Sequence, residues 1–478
     1  MPELSLNPSR RTALLAGLRL ALPNEADSPF LRGVYAPVVG EICQARLEVE
    51  GRIPDHLSGS YLRNGPNPRF KPKGRHHWFD GDGMIHSVSL RPGEKTASYR
   101  CAYVRTAGFC EEERAGKALY PGLLELPDLG RMAAGLDGYK NSANTALLMH
   151  HGRLHALWEG GCPHLVNPAT LETQGAEQFQ GVWKGAFTAH PKVDPVTGEL
   201  VFFGYGLSRP YLRMGTLDSK GRVGRLFEIE LPRPVMMHDF AITRDYAVFL
   251  DMPQTFSLAN LARGRGVFAW QPELGGRIGL VCRKTGKTTW FAVQPGSVFH
   301  TLNAWQDADT VVLIACRMPR FPTEALDGSA TNQPLAERPR LWRYEMGIRN
   351  GKVQEEPLDD PGSDMPRLRE DLLGKPTRFA YTLETDFCGW RKHDLKAKTT
   401  RRLQAPTGWA CGEAVFVPRP GGTCEDDGHL LALVQPPGNE PGRLWVMDAA
   451  TFAAEPVARV RLPRRVPAGF HGLWVAGV

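Results

Sequence analysis

The 478 residues contain nine cysteines but no Cys-x-x-Cys pair. An odd count without regular spacing excludes a zinc ribbon or a disulfide framework and suits a reducing compartment, with the thiols acting as small buried hydrophobes. No run of 18 apolar residues occurs, so no membrane-spanning helix is expected. Blocks of five or more like charges are absent too, and the net charge of +7 is spread thinly. That excludes a basic arm for nucleic acid, and short pairs such as Arg401-Arg402 and Arg464-Arg465 read as solvated faces. There is no Gly-x-Ser-x-Gly elbow, no phosphate loop and no dinucleotide fingerprint, since Gly204-Tyr-Gly206 lacks its third glycine. Serine-hydrolase and nucleotide-cofactor chemistry therefore have no foothold.

What is present is punctuation: 51 glycines and 39 prolines, with few segments holding a helical period. From residue 40 onward, short apolar runs alternate with Gly, Pro, Asp and Asn turns. Residues 147–149 lead through His151-Gly152 into 154–158, and 201–203 follow the turn Asp194-Pro-Val-Thr-Gly198. The pattern predicts mostly antiparallel β-structure, as a sandwich array or a propeller. No clean 40-residue repeat accompanies it. Two segments differ. At the N-terminus Leu14, Leu15, Leu18 and Leu22 fall on one side of a helix, with Thr12 and Arg19 on another, so residues 1–29 read as an amphipathic helix and lead-in. Ser9-Arg10-Arg11 resembles an export signal only superficially, because Arg19 interrupts the apolar stretch and no small-x-small cleavage site follows. Residues 111–140 read as helix and loop carrying an exposed apolar cluster at Leu119, Tyr120, Leu123, Leu124 and Leu126. That cluster is either a core-covering loop or a lip that dips into lipid.

Of fourteen histidines, ten lie in polar or turn-like surroundings. The other four sit at apolar strand boundaries: Phe187-Thr-Ala-His190, Val235-Met-Met-His238, Ser297-Val-Phe-His300 and Ala468-Gly-Phe-His471. Their wide separation excludes a zinc finger or a His-Glu-x-x-His helix. Only a closed architecture, with strands from distant parts of the chain converging on one axis, would unite them. By spacing alone they remain candidates.

Longer motifs sharpen the reading. The segments Gly59-Ser-Tyr-Leu-Arg-Asn-Gly-Pro-Asn-Pro68, Trp78-Phe-Asp-Gly-Asp-Gly-Met-Ile-His86, Ala189-His-Pro-Lys-Val-Asp194, Met237-His-Asp-Phe240 and Gly412-Glu-Ala-Val-Phe-Val-Pro418 resemble the carotenoid cleavage oxygenase family, from about Phe30 to Trp474. The Trp158-Glu-Gly-Gly161 run resembles its apocarotenoid branch. The resemblance implies an all-β fold over 30–478: one seven-bladed β-propeller, with a helical and loop cap (111–140 included) over an axial iron site. It implies one Fe(II) per chain held by His190, His238, His300 and His471, with dioxygen as co-substrate. It places orienting carboxylates at Glu159, Asp364 and Glu413, Asp364 being one methylene shorter than the family's usual Glu. Thr145 falls beside the open coordination site, and Tyr103, Trp158 and Phe299 are candidates for the substrate pocket. Four neutral imidazoles suit iron and leave two octahedral positions open.

The implied reaction is cleavage of a carbon–carbon double bond of a carotenoid or apocarotenoid to two carbonyl products. The alternative is cleavage of phenolic alkenes (stilbenes, or phenylpropenes such as isoeugenol and vinylguaiacol) to aromatic aldehydes. In the phenolic branch a Lys precedes the first orienting Glu; here Trp158 offers an apolar wall. The expected partners are a small lipophilic or aromatic alkene and a membrane surface touched peripherally, with no nucleic acid and no nucleotide cofactor. The expected location is cytoplasmic, possible contact being at the membrane face.

Overall fold

The computed structural model describes residues 28–92, 96–263, 266–322 and 334–478. The helix expected near the N-terminus lies outside them. Apart from a two-stranded hairpin, Gln254–Phe256 with Phe268–Trp270, the sheets form the seven blades of a propeller. Blade 2 is typical: Ala146–His150, Arg153–Leu157, His164–Val166 and Thr173–Ala176 follow one another antiparallel from axis to rim. Blades 3 to 6 repeat this plan, beginning at the axis with Lys192–Val193, Ala241–Ile242, Ser297–Asp307 and Ser363–Arg367.

The ring closes twice. Gly472–Ala476 becomes the axial strand of blade 1 by pairing with Gly59–Arg63, Trp474 opposite Tyr61. Val49–Gly51 meanwhile forms the rim of blade 7 against Ala458–Arg461.

Burial explains why some strands are easier to recognise than others. Middle strands such as Gly428–Gln435 are buried on both faces, so they read as apolar runs. Rim strands such as Thr399–Gln404 are exposed at every position but Leu403, and their charges discourage edge-to-edge pairing. Between blades, side chains from facing sheets interlock. Tyr61, Val88 and Tyr99 of blade 1 meet Leu431, Leu444 and Val460 of blade 7. Each such side chain, removed from water, contributes roughly 1.5–3 kcal/mol.

The cap is built around the helix Ala107–Ala115, started by the Thr106 hydroxyl accepting from Phe109 N–H and stopped by Gly116 at φ +66°. Glu112 of this helix is buried. It pairs with Lys140 Nζ at 2.7 Å, and Lys140 also reaches Asp82 at 2.6 Å. Glu112 accepts the Leu119 N–H as well, which pins the following loop. The apolar cluster expected on that loop divides: Leu126 is exposed, and Leu119 and Leu123 are half-buried. Tyr120 and Leu124 are buried, Tyr120 because Glu111 and Arg131 hold its hydroxyl at 2.7 Å each. The exposed apolar residues of the cap are Leu126, Leu129, Met132 and Leu136, three of them on or beside the short helix Leu129–Ala133. Arg464 and Arg465 are also not a solvated face. Arg464 donates to the carbonyls of Val39 and Gly40, and Arg465 to those of Gly33 and Ala36, so together they clamp the lead-in segment.

Candidate metal centre

The start of each axial strand delivers one residue to the same layer. Thr145 precedes the axial strand of blade 2, and His190 and His238 lie just ahead of those of blades 3 and 4. His300 lies within blade 5, Asp364 within blade 6, Glu413 just ahead of Val415–Pro418 in blade 7, and His471 just ahead of the closing strand of blade 1. Glu159 reaches the layer from the loop after Arg153–Leu157. Two of these positions are re-aimed by irregular backbone, as bulges commonly do. The pairing register slips on both sides of Thr301, next to His300. It slips again after Asp364, where Met365 adopts φ +51°.

The four histidines meet on the axis. Nitrogens of His190, His300 and His471 lie within 4.8 Å of one another. His238 joins them with its Nε2 3.0 Å from that of His190. Ring centroids of neighbouring pairs are 4.6–5.2 Å apart. Three rings are oriented by carboxylates, which accept only, so Nδ1 must donate and Nε2 is left with its lone pair. His238 Nδ1 donates to Glu159 Oε2. His300 Nδ1 donates to Asp364 at 3.0 Å, so the shorter acid reaches its ring directly. His471 Nδ1 donates to Glu413 at 2.9 Å.

The carboxylates are themselves held. Glu159 accepts the Tyr205 hydroxyl at 2.6 Å, Asp364 accepts the Met365 N–H at 2.8 Å, and Glu413 accepts the Gly472 N–H at 2.8 Å and Arg367 Nη1 at 3.4 Å. Electrostatics match this wiring. Burial, reinforced by the neighbouring rings, presses the His190 imidazole well below its usual range. At His300 burial acts downward, but the Asp364 carboxylate outweighs it and the ring ends above its usual value. At His471 burial wins over Glu413 and the ring stays below it. Burial raises the Glu413 carboxyl, yet Arg367 and His471 more than offset this and hold it low. Burial, with Glu159 beside it, drives the Tyr205 phenol far upward, keeping it a donor.

Two more observations bear on a cation. His300 Nε2 is buried without a hydrogen-bond partner among the described residues, a costly arrangement unless something else takes its lone pair. Below the layer, His190, His300 and His471 border an axial cavity of about 510 Å³ whose wall also carries Lys192, Asp239 and Arg367.

Of the substrate-pocket candidates, Phe299 stands 5.4 Å from His238, ring centre to ring centre. Trp158 lines a hollow beneath the cap with Phe79, Leu123 and Tyr139. Tyr103 is not brought to either place: it packs on Phe109, and its hydroxyl accepts from Asn67 Nδ2 at 2.6 Å. Thr145 accepts the His471 N–H through its carbonyl at 3.3 Å, while its hydroxyl bonds Asn144. Asn144 in turn tethers the turn above the site through the carbonyls of Phe79 and Gly81. Sequence reasoning missed Tyr205 and Arg367. The only signal for Tyr205 was a polar ring closing an apolar strand, Leu200–Tyr205, and nothing in the sequence joined it to Glu159.

Comparison with known proteins decides the family. The family model described as retinal pigment epithelial membrane protein matches residues 35–476. The chain belongs to the carotenoid cleavage oxygenases. It is 35% identical to the carotenoid 9,10(9',10')-cleavage dioxygenase 1 of Arabidopsis thaliana, over 98% of this chain and 94% of that one. It is also 32% identical to the isoeugenol monooxygenase of Pseudomonas nitroreducens, over 94% and 98%. Among solved structures, the lignostilbene dioxygenase of Pseudomonas brassicacearum superposes with a TM-score of 0.86 at 28% identity, covering 96% of this chain and all of the other. The cobalt-substituted apocarotenoid oxygenase of Synechocystis gives 0.82 at 30%, covering 92% and 96%. The chain thus has relatives named for action on carotenoids and on aromatic alkenes.

Proposed function

We propose that the chain is an iron(II) dioxygenase that splits a carbon–carbon double bond of a carotenoid or apocarotenoid, placing one oxygen atom of dioxygen on each new carbonyl. The observation that carries the metal is the convergence of four imidazoles, three with Nδ1 bound to carboxylate and one with a buried, unpartnered Nε2. Such a donor set suits a borderline divalent ion, and oxidative cleavage calls for a redox-active one. Iron bound there would supply activation of dioxygen. His190, His238, His300 and His471 would hold it, and Glu159, Asp364 and Glu413 would fix their rings and offset the cation's charge.

The protein's other tasks are positioning and exclusion of water. Phe299 and the Trp158 wall favour a polyene over a phenol. Tyr103, whose hydroxyl is committed to Asn67, offers no phenol contact in this arrangement. The exposed Leu126, Leu129, Met132 and Leu136 on the cap would let a poorly soluble substrate enter from lipid. No helix among the described residues is long and apolar enough to cross a membrane. All nine cysteines are unpaired, which supports a cytoplasmic location.

The relatives that act on isoeugenol and lignostilbene keep phenolic alkenes as the second reading. One experiment separates them. Iron-loaded protein is incubated with apocarotenals and with phenolic alkenes, following oxygen uptake and the aldehydes released. Cleavage confined to phenolic alkenes would reverse the order of the readings, and no cleavage of either would end both.

A further inference from the structure

We propose that Asp239 is a positioning residue that locks three of the four histidine-bearing strands in one geometry. The axial strands of a propeller belong to different sheets and share no backbone ladder, so the relative placement of side chains from different blades must be set some other way. Asp239 supplies that link one layer beneath the four imidazoles. It follows His238 directly, on blade 4. Its Oδ1 pairs with Lys192 Nζ at 2.8 Å, two residues beyond His190 on blade 3. Its Oδ2 accepts the backbone N–H of Thr301 at 2.7 Å and the Thr301 hydroxyl at 2.9 Å, next to His300 on blade 5. The same hydroxyl lies 2.8 Å from the Phe240 carbonyl, so its one proton is shared between two acceptors, both on the blade 4 side. Asp239 and Thr301 are each 5% exposed, and both line the axial cavity with Lys192.

Asp239 is thus itself adjacent to one histidine and grips the residues adjacent, or next but one, to two more. Thr301 pairs with Ala315, but the register slips on both sides of it, so regular pairing is interrupted around the point that Asp239 grips. The fourth histidine has its own bridge on the opposite side of the axis, where Arg367 contacts Glu413 and the Gly472 carbonyl. The inference rests on the metal-centre reading above.

The test uses cobalt(II), whose visible absorption bands report ligand geometry, on metal-stripped full-length protein. Wild type should bind one equivalent. Asp239→Asn removes the charge that Lys192 answers, and should weaken cobalt affinity about 10- to 100-fold, the usual cost of losing an orienting partner, and shift the bands. Thr301→Val, nearly isosteric, should weaken affinity by a smaller factor with a shift in the same direction. Circular dichroism and melting of the stripped proteins identify a merely structural role, which would lower the melting temperature and leave the bands in place. Folded Asp239→Asn with wild-type affinity and spectrum would overturn the proposal. If that variant does not fold, unchanged affinity and bands in Thr301→Val do so. Wild type that takes up no cobalt would remove the metal centre itself and the proposal with it.

Discussion

At the axis of the propeller, polar side chains from seven blades crowd into one layer, and each carboxylate there has a donor on it. On the cap, four large apolar side chains are exposed among the described residues, while ion pairs and a buried glutamate keep the loop beneath them in shape. Under the proposed function the contrast separates two jobs. A metal centre needs rings fixed to fractions of an ångström and therefore spends hydrogen bonds on orientation. A surface that hands over a greasy molecule needs exposed area and little precision. Damage to the axis should be read in metal content and chemistry, and damage to the cap in delivery.

The comparison breaks most visibly at a ligand. His238→Ala removes one of four donors and takes from Glu159 the ring it orients, so metal content measured by elemental analysis should fall sharply and cleavage should drop below detection. Full metal occupancy with turnover would strike His238 from the ligand set. The orienting acids come next. Glu159→Gln, Glu413→Gln and Asp364→Asn should each lower metal affinity or turnover by about 10- to 100-fold. Asp364 belongs with the other two because its 3.0 Å contact matches the 2.9 Å contact of Glu413; an Asp364→Asn protein with near-normal iron affinity would show that His300 is held by other means. One bond further out, Tyr205→Phe deletes the donor on Glu159. A hydrogen bond to a charged group is worth about 1.5–3 kcal/mol, and only part of that passes to the metal, so affinity should fall about tenfold or less. Equal losses in Tyr205→Phe and Glu159→Gln would mean that the tyrosine does more than orient.

The cap gives the smallest effect on chemistry. Leu129→Asp with Met132→Asp should reduce co-sedimentation with anionic liposomes, leave metal content unchanged, and alter turnover of detergent-dispersed substrate by less than about twofold, since surface changes away from a site act weakly. Wild type that ignores liposomes at low salt would detach the cap from lipid and favour a water-soluble alkene.

Much of this was legible in the sequence, for reasons that can be named. Each histidine stands where an apolar run begins, because axial strands start at the site and then enter the core. Residues 145, 190, 238, 300, 364, 413 and 471 are spaced 45 to 64 apart, one per blade. That is the repeat, carried by position in the blade while the residues themselves differ. It escapes a search for similar segments because insertions change its length; the hairpin Gln254–Phe256 with Phe268–Trp270 lies between His238 and His300 and helps stretch that interval to 62. What stayed hidden depends on tertiary direction. Tyr120 and Leu124 looked exposed until Glu111, Arg131 and Glu112 turned that loop inward. Arg464 and Arg465 looked solvated because the carbonyls they bind lie more than 420 residues away along the chain. Tyr103 has the right chemistry for a phenol, but the strand Thr96–Tyr103 directs it against the helix Ala107–Ala115.

The closing strand also sets an order of events during synthesis. Trp474 pairs with Tyr61, a partner translated 413 residues earlier, and His471 is the residue immediately before that strand. Blade 1 therefore waits, missing its inner edge, while the other six are made, and bridging so long a loop is slow. The last histidine and the last strand arrive together. An unfinished chain offers at most three of the four histidines on an open ring, so under the iron reading the nascent protein would reach its full affinity for the metal only when the ring can shut.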